Sequence, residues 1–236
     1  MFKRKSYVGL LIIIIIFSFW FIPRIKNRLN ENRVSESNRT KEISQSSKLS
    51  FINNNGELRK VPEFIFKNQD NRYVTNEDFS GKVYVVEFFF TSCPSICIEM
   101  NQNMKILDEE FGGRDDFGIA SFTIDPVNDT PIALKKYAER INVKSKNWHF
   151  LTGKIEDIHK LSYSGFMLDF KNNPDIPGDF HHSGLFALID KNGYIRSRKN
   201  SNDTPIVYYL GIEDPLVNNQ GIDMIKEDIR KLLKNG

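Results

Sequence analysis

The sequence predicts an α/β domain with a central mixed β-sheet flanked by helices, preceded by an N-terminal transmembrane helix. Three observations predict this organisation. Residues 6–23 carry no charge, strand and helix patterns alternate through the middle of the chain, and two neighbouring strands and a helix close it. Alternation of strands and helices favours parallel pairing, and the late strand pair adds antiparallel strands. We therefore expect a mostly parallel sheet with an antiparallel part.

Residues 1–23 are the predicted membrane anchor. The uncharged stretch 6–23 is near the lower end of the roughly 17–25 residues that a spanning helix needs. Trp20 and Phe21 lie where an aromatic belt would lie at the membrane surface. The stretch ends at Pro23 without the small residues of a signal-peptide cleavage site, so we expect an uncleaved anchor rather than a buried core helix.

Residues 24–50 are predicted to form a flexible tether, and residues 51–236 the globular domain. The tether contains no Gly or Pro, few apolar residues and no sustained periodicity. Basic residues lie on both sides of the apolar stretch, so charge alone barely sets its orientation. We expect a single-pass protein of the cytoplasmic membrane. A cytoplasmic N-terminus and a domain facing the periplasm or an equivalent space are expected mainly from the function that the cysteine-containing motif implies, rather than from charge.

The elements of the domain follow from local patterns. Residues 83–90 are apolar except Glu87, which is typical of a central strand covered on both faces. A helix is expected to start at Pro94, because proline is tolerated at a first helical position, and to run to Phe111. Thr130 and Pro131 are a cap and first position for the next helix, to about Arg140. Further strands are predicted at 61–66, 117–124 and 149–151, and a further helix at 155–163.

The C-terminal part is predicted to form a hairpin and a helix. Strands at 185–189 and 194–198 are joined by a turn containing Asn192 and Gly193, a strong hairpin signal. Apolar residues at helical spacing from Ile222 to Leu232 then predict the last helix.

The chain has only two cysteines, Cys93 and Cys97, at the end of the predicted central strand. That end of an α/β sheet is where ligands tend to bind. If the helix starts at Pro94, both sulfurs share one helix face, and its N-terminus favours the thiolate form. The pair can therefore be a redox disulfide or two ligands of a soft metal. Two buried structural thiols, or a structural disulfide closing a very short loop, are the alternatives.

The remaining candidates are histidines and methionines. His181 and His182 stand directly before the strand at 185–189, and adjacent residues of an extended chain face opposite sides. His149 and His159 are interpreted as structural or solvated. Met100 and Met104 have the helical spacing of core residues. The net charge is +3 and there is no basic stripe with interleaved aromatics, so nucleic-acid binding is not expected.

The segments VEFFFTSCPSIC, SFTIDPVNDTP and HSGLFALIDKNG, in that order, resemble the Sco/SenC family over residues 60–236. The resemblance implies a membrane-anchored, thioredoxin-like copper protein that assists assembly of the dinuclear copper site of cytochrome c oxidase. It implies one copper, Cu(I) or Cu(II), held by Cys93, Cys97 and His182. Two thiolates and an imidazole suit such an ion. The oxidase subunit that carries the copper site is then the partner.

Two departures from the family pattern affect the site. Ile98 stands where the family often has proline after the second cysteine, and His181 stands where it often has Asp before the histidine. The second departure leaves open that His181 is the ligand, although His182 is favoured. Asp125, in the IDP segment, lies either near the site or in an ordinary strand-end turn.

The sequence supports more than one function. Copper delivery is favoured, and an enzymatic role stays undecided. A thiol–disulfide oxidoreductase would use Cys93 as the attacking thiol and Cys97 as the resolving thiol, without a metal. A peroxidase of the same fold and a tethered binding module without chemistry are weaker alternatives.

Overall fold

The computed structural model describes residues 49–54, 56–93, 96–172, 180–181, 184–216 and 220–234. The strands are β1 (Ser50–Phe51), β2 (Asn53–Asn54), β3 (Glu57–Leu58), β4 (Ile65–Lys67), β5 (Tyr73–Thr75), β6 (Val83–Phe89), β7 (Phe117–Thr123), β8 (Trp148–Leu151), β9 (Lys171–Asn172), β10 (Phe180–His181), β11 (Leu185–Ile189), β12 (Ile195–Ser197) and β13 (Tyr209–Leu210). The helices are α1 (Ile96–Phe111), α2 (Pro131–Arg140), α3 (Ile155–Lys160) and α4 (Gly221–Lys234).

The main sheet has the strand order β1-β12-β11-β6-β7-β8, and β13 pairs with β11 outside this path. Strands β6, β7 and β8 are parallel, with Val83 opposite Phe117 and Ile119 opposite Trp148. All seven residues of β6 are buried, as its continuous apolar pattern predicts, and all seven residues of β7 are buried as well. The mixed sheet is therefore confirmed.

The expectation of a mostly parallel sheet is wrong. In the described residues, β11 is antiparallel to β6, to β12 and to β13, and β1 is antiparallel to β12. The alternation of strands and helices governs only the middle of the chain. The hairpin instead inserts β11 beside β6, which makes an antiparallel strand the neighbour of the cysteine-bearing strand.

The hairpin turn between β11 and β12 forms as predicted. The Asp190 carboxylate accepts hydrogen bonds from the backbone N–H groups of Asn192 and Tyr194, both at 3.0 Å. Gly193 has φ +83°, a left-handed conformation that glycine adopts without steric cost.

Two other element predictions need correction. The strand predicted at 61–66 begins only at Ile65, because Pro62 has no N–H and the N–H of Phe64 donates to Oδ1 of Asn76 at 2.7 Å instead. The helix predicted at 155–163 ends at Lys160 and continues as one π-helical turn, Leu161–Gly165. The hydroxyl of Ser162 in this turn donates to the carbonyl of Leu168.

The domain is one compact unit spanning residues 46–236. Leu49 is buried and Ser50 pairs with Ser197, so these two residues belong to the domain rather than to the predicted tether. The predicted anchor and nearly all of the predicted tether lie outside the described residues. Among the described helices, none is both long and apolar enough to cross a membrane.

Candidate metal centre

Cys93 and Cys97 meet at the carboxyl end of β6. The N–H of Cys93 donates to the carbonyl of Phe90 at 3.3 Å, which turns the chain out of the strand. Cys97 is the second residue of α1 and is only 1% exposed, whereas Cys93 is half-buried. Both are thiols rather than a disulfide, and they share a hydrogen bond. The two sulfurs therefore lie next to each other. Residues 94 and 95 lie outside the described residues, so the helix start at Pro94, on which the predicted shared helix face depends, stays a prediction.

The Cys97 thiol lies in an environment that disfavours its anion. Burial raises its pKa well above the ordinary value, and the hydrogen bond with Cys93 adds to this effect. A hydrogen bond with the backbone of Phe90 acts in the opposite direction. Without a metal, Cys97 is therefore held as the neutral thiol, and a bound cation would have to displace its proton.

Gly184, two residues after His182, lies at the same edge of the sheet. Because β11 runs antiparallel to β6, with Ala187 opposite Val86, the start of β11 lies beside the end of β6. A methyl group placed on Gly184 would contact Cδ1 of Ile96 at 3.6 Å. The residue before β11 thus lies against the first residue of α1, one position before Cys97.

Of the two adjacent histidines, the structure describes His181 but not His182. His181 ends β10 and pairs with Lys171 of β9. His182, the predicted ligand, lies outside the described residues. The assignment of His182 rather than His181 as the ligand therefore stays a prediction.

Asp129 anchors the loop that carries Cys93. Its carboxylate is fully buried and accepts hydrogen bonds from the backbone N–H of Thr91 at 3.0 Å and from the Thr91 hydroxyl. The hydroxyl of Thr123, the last residue of β7, donates to it at 2.5 Å. Asp129 therefore ties the cysteine loop to the neighbouring strand.

Asp125 serves the strand-end turn. Its backbone carbonyl accepts from the N–H of Asp129 at 2.9 Å, and its carboxylate accepts from the side chain of Asn128 at 2.8 Å. Of the two interpretations open for Asp125, these contacts favour the turn. The carboxylate nearest to the cysteine loop among the described contacts is that of Asp129.

Glu87 is a buried carboxyl group beneath the site. One oxygen accepts from the Ser121 hydroxyl at 2.6 Å, and Ser121 in turn accepts from the indole N–H of Trp148 at 2.9 Å. The other oxygen is buried and has no hydrogen-bond partner among the described residues. Burial raises the pKa of Glu87 to about 7, and the bond from Ser121 partly offsets this. After burial and other causes, its negative charge also raises the pKa of Cys97.

Comparison with known proteins identifies the family. The SCO1/SenC family profile matches residues 52–214, which include both cysteines and both adjacent histidines. The chain belongs to the SCO1/SenC family. An SCO1 protein homolog of Bacillus subtilis is 33% identical over 138 residues, which cover 58% of this chain and 71% of the relative.

Solved structures of Sco proteins share this fold. The structure of a SCO1/SenC family lipoprotein from Bacillus anthracis is 31% identical, with a TM-score of 0.61, and covers 74% of this chain and 95% of that chain. The structure of BsSco, described as a Sco family cytochrome c oxidase assembly protein with a disulfide switch, is 30% identical. It has a TM-score of 0.59 and covers 74% of this chain and 93% of that chain. The thioredoxin-like α/β fold is thereby confirmed for this Sco protein.

The remaining candidate residues of this Sco protein, two histidines and two methionines, make ordinary structural contacts. His149 packs edge-on against Phe79, with ring centroids 5.6 Å apart, and burial lowers its pKa. His159 is half-exposed, and its Nε2 lies 3.4 Å from Asp169. Met100 and Met104 are completely buried core residues, as predicted. Within the described residues, which exclude His182, no group of three His, Cys, Asp or Glu side chains is arranged to hold a metal.

Asp129 and Glu87 were not predicted from the sequence to be parts of the site. Glu87 had a signal, because it is the only charge in an otherwise apolar strand, and a carboxyl group buried there must interact with something specific. Asp129 had none, because an Asp in a polar loop before a helix cap is common and its contact with Thr91 is long-range.

Proposed function

We propose that this Sco protein is a membrane-anchored copper carrier that delivers copper to the dinuclear copper site of cytochrome c oxidase and so assists its assembly. The observation that carries the proposal is the pair of adjacent thiols at the end of β6, next to the start of β11 that follows His182. Membership of the SCO1/SenC family and the oxidase-assembly description of BsSco support it.

The residues present fit copper as cargo. Two soft sulfur donors within hydrogen-bond contact suit Cu(I), and an imidazole from His182 would complete a three-coordinate site that also accepts Cu(II). Copper bound there would hold both sulfurs as thiolates. Because Cys93 is half-buried rather than enclosed, a client ligand can approach that sulfur and take over the ion.

The N-terminal segment completes the proposal. Residues 1–23 would hold the protein in the cytoplasmic membrane, and residues 24–50 would let the domain reach a membrane-bound oxidase subunit. The domain would face the periplasm or an equivalent space. There the carrier and the oxidase copper site share one compartment.

A second function is favoured by the thiol–thiol contact itself. In thiol exchange, Cys93 would attack a disulfide of the client, releasing one client thiol and forming a mixed disulfide. Cys97 would then attack Cys93, releasing the second client thiol and leaving a Cys93–Cys97 disulfide. This reaction reduces the client, oxidises the carrier and needs no metal. The hydrogen bond already places the two sulfurs next to each other.

Copper binding by the full chain, reduced and anaerobic in a mild detergent, tests the proposal. We expect one copper per chain and, for Cu(II), a thiolate-to-copper absorption band. Cys93→Ser and Cys97→Ser should abolish both signals. A wild-type protein without stoichiometric copper but with a readily reversible disulfide would refute copper delivery and support the thiol-exchange function.

A further inference from the structure

A groove of about 550 Å³ opens beside the cysteine pair, between α1 and α2. Cys93 and Cys97 are both among the residues that line it. Ile98, Tyr137 and Ile141 supply apolar surface, and Ile98 is 56% exposed. A groove lined by both cysteines is the surface over which a client would meet Cys93, the more exposed of the two.

The charge of this groove has one sign. Lys105 of α1 and Arg140, the last residue of α2, lie in its wall, and no carboxylate does among the described residues. The guanidinium of Arg140 lies over the Tyr137 ring, 4.7 Å from its centroid, and stays exposed. Nζ of Lys105 lies 4.0 Å from Oε1 of Glu109, and an exposed ion pair at this long distance is weak. Both cations are therefore available to an incoming anionic group.

Asn101, one of the residues that line the groove, is oriented by the backbone of α1. Nδ2 of Asn101 donates to the carbonyl of Cys97 at 2.7 Å, and this orients the amide. Its Oδ1 is buried and has no hydrogen-bond partner in the part of the chain that the structure describes.

We propose that this groove docks an extended segment of the client polypeptide, with an acidic side chain near the client residue that meets Cys93. The proposal rests on the proposed function, since it names the chemistry of the partner. Lys105 is eight residues beyond Cys97, or about 12 Å along α1 at 1.5 Å per residue. An extended chain covers that distance in about four residues. The acidic side chain therefore lies within about four residues of the reacting client residue.

Alkylation of Cys93 by short peptides tests the docking. Each peptide carries an N-terminal iodoacetyl group, a Gly-Ser-Gly spacer and then two Glu, two Gln or two Lys residues. The Cys93 sulfur displaces iodide, and mass spectrometry of the full chain in detergent gives the rate constant. Division by the rate constant for free iodoacetamide removes any change in the intrinsic reactivity of the thiol.

We expect the normalised rate for the Glu peptide to exceed that for the Lys peptide by about tenfold at low salt. The variant Lys105→Gln/Arg140→Gln should reduce this ratio to about two. The matched control Lys136→Gln/Lys154→Gln removes the same charge from exposed residues outside the groove and should leave the ratio at about ten. Equal ratios in the two double variants, or a wild-type ratio near one, would overturn the docking proposal.

Copper measured on the same samples separates the two proposals. Lys105→Gln/Arg140→Gln should retain one copper per chain, since neither residue is a ligand. Stoichiometric copper with no charge preference refutes the docking surface alone. A charge preference without copper in the wild-type protein refutes copper delivery and leaves the docking surface in place.

Discussion

The carboxylate of Asp129 holds the backbone of Thr91, two residues before Cys93, through hydrogen bonds from the Thr91 N–H and hydroxyl. The cysteine loop is therefore fixed by a residue from the loop after β7 rather than by its own strand. We predict that Asp129→Asn destabilises the protein by about 2 kcal/mol, because an amide group then faces buried donors. It should also increase the iodoacetamide reactivity of Cys93 several-fold, as the loop loosens.

Thr123→Val is the matched control for this prediction. It removes the third donor to Asp129, and the acceptor of the Asp125 N–H, but leaves both bonds to Thr91. We expect a loss of about 1 kcal/mol in urea unfolding and unchanged Cys93 reactivity. If Thr123→Val accelerates Cys93 alkylation as much as Asp129→Asn does, then Asp129 has no specific effect on the cysteine loop.

Two alanine variants distinguish whether His181 or His182 is the copper ligand. We predict that His182→Ala loses most of the thiolate-to-copper absorption of the Cu(II) form, whereas His181→Ala keeps one copper with a modest spectral shift. The reason is that neighbouring residues of an extended chain face opposite sides, so only one imidazole can reach the sulfurs. Loss of the band in His181→Ala and its retention in His182→Ala would exchange the two assignments.

The sequence predicted the part of the fold that local patterns control. The apolar run at 83–90, the Thr130–Pro131 cap and the Asn192–Gly193 turn each have a short-range signal, and the structure has the corresponding elements. It did not predict that β11 pairs with β6, because the pairing partner of a buried strand depends on contacts about a hundred residues apart. The antiparallel content of the sheet was underestimated for that reason.

The site was predictable to the extent that its residues have a chemical signature. A lone cysteine pair after a buried strand indicates soft-metal or redox chemistry from the amino-acid sequence alone. The supports of the pair, Asp129 and Asn101, are an ordinary loop carboxylate and an ordinary helical amide in the sequence. Only tertiary contacts distinguish them from their neighbours.

A buried ion pair joins α4 to the sheet and gives a stability prediction. Arg198 is 2% exposed and donates to Oδ2 of Asp228 at 2.6 Å, and the Tyr209 hydroxyl donates to the same atom at 2.8 Å. Asp228→Ala should cost about 3–5 kcal/mol in urea unfolding, because the buried guanidinium then keeps only the half-exposed Glu227 as a carboxylate partner among the described residues, and the Tyr209 hydroxyl loses its acceptor. Asp203→Ala breaks the surface pair with Lys199 at 2.7 Å and should cost less than about 1 kcal/mol. Similar losses in both variants would show that burial does not increase the contribution of the Arg198–Asp228 pair to the free energy of unfolding.

Glu87 gives a pH-dependent prediction for the reduced, metal-free protein. Its pKa is raised from 4.5 to about 7 in the folded state, mainly by burial. Below pH 4.5 the carboxyl is protonated in both states, so its contribution to stability is fully present there. As the pH rises from 4.5 to 7, the unfolded chain releases the proton first, and the free energy of unfolding falls by about 3 kcal/mol.

Glu87→Gln isolates this effect from the other carboxylates. Glutamine keeps an acceptor for Ser121 but cannot ionise, so the variant should not undergo this fall. The stability of Glu87→Gln relative to wild type should therefore rise by about 3 kcal/mol between pH 4.5 and pH 8, measured by urea unfolding in the presence of a reductant. Ser121→Ala removes the bond that favours the ionised form and raises the folded pKa, so the fall should still begin near pH 4.5 but extend to higher pH and become larger. A difference between Glu87→Gln and wild type that stays constant over this range would mean that Glu87 ionises in the folded protein as it does in the unfolded chain, despite its burial.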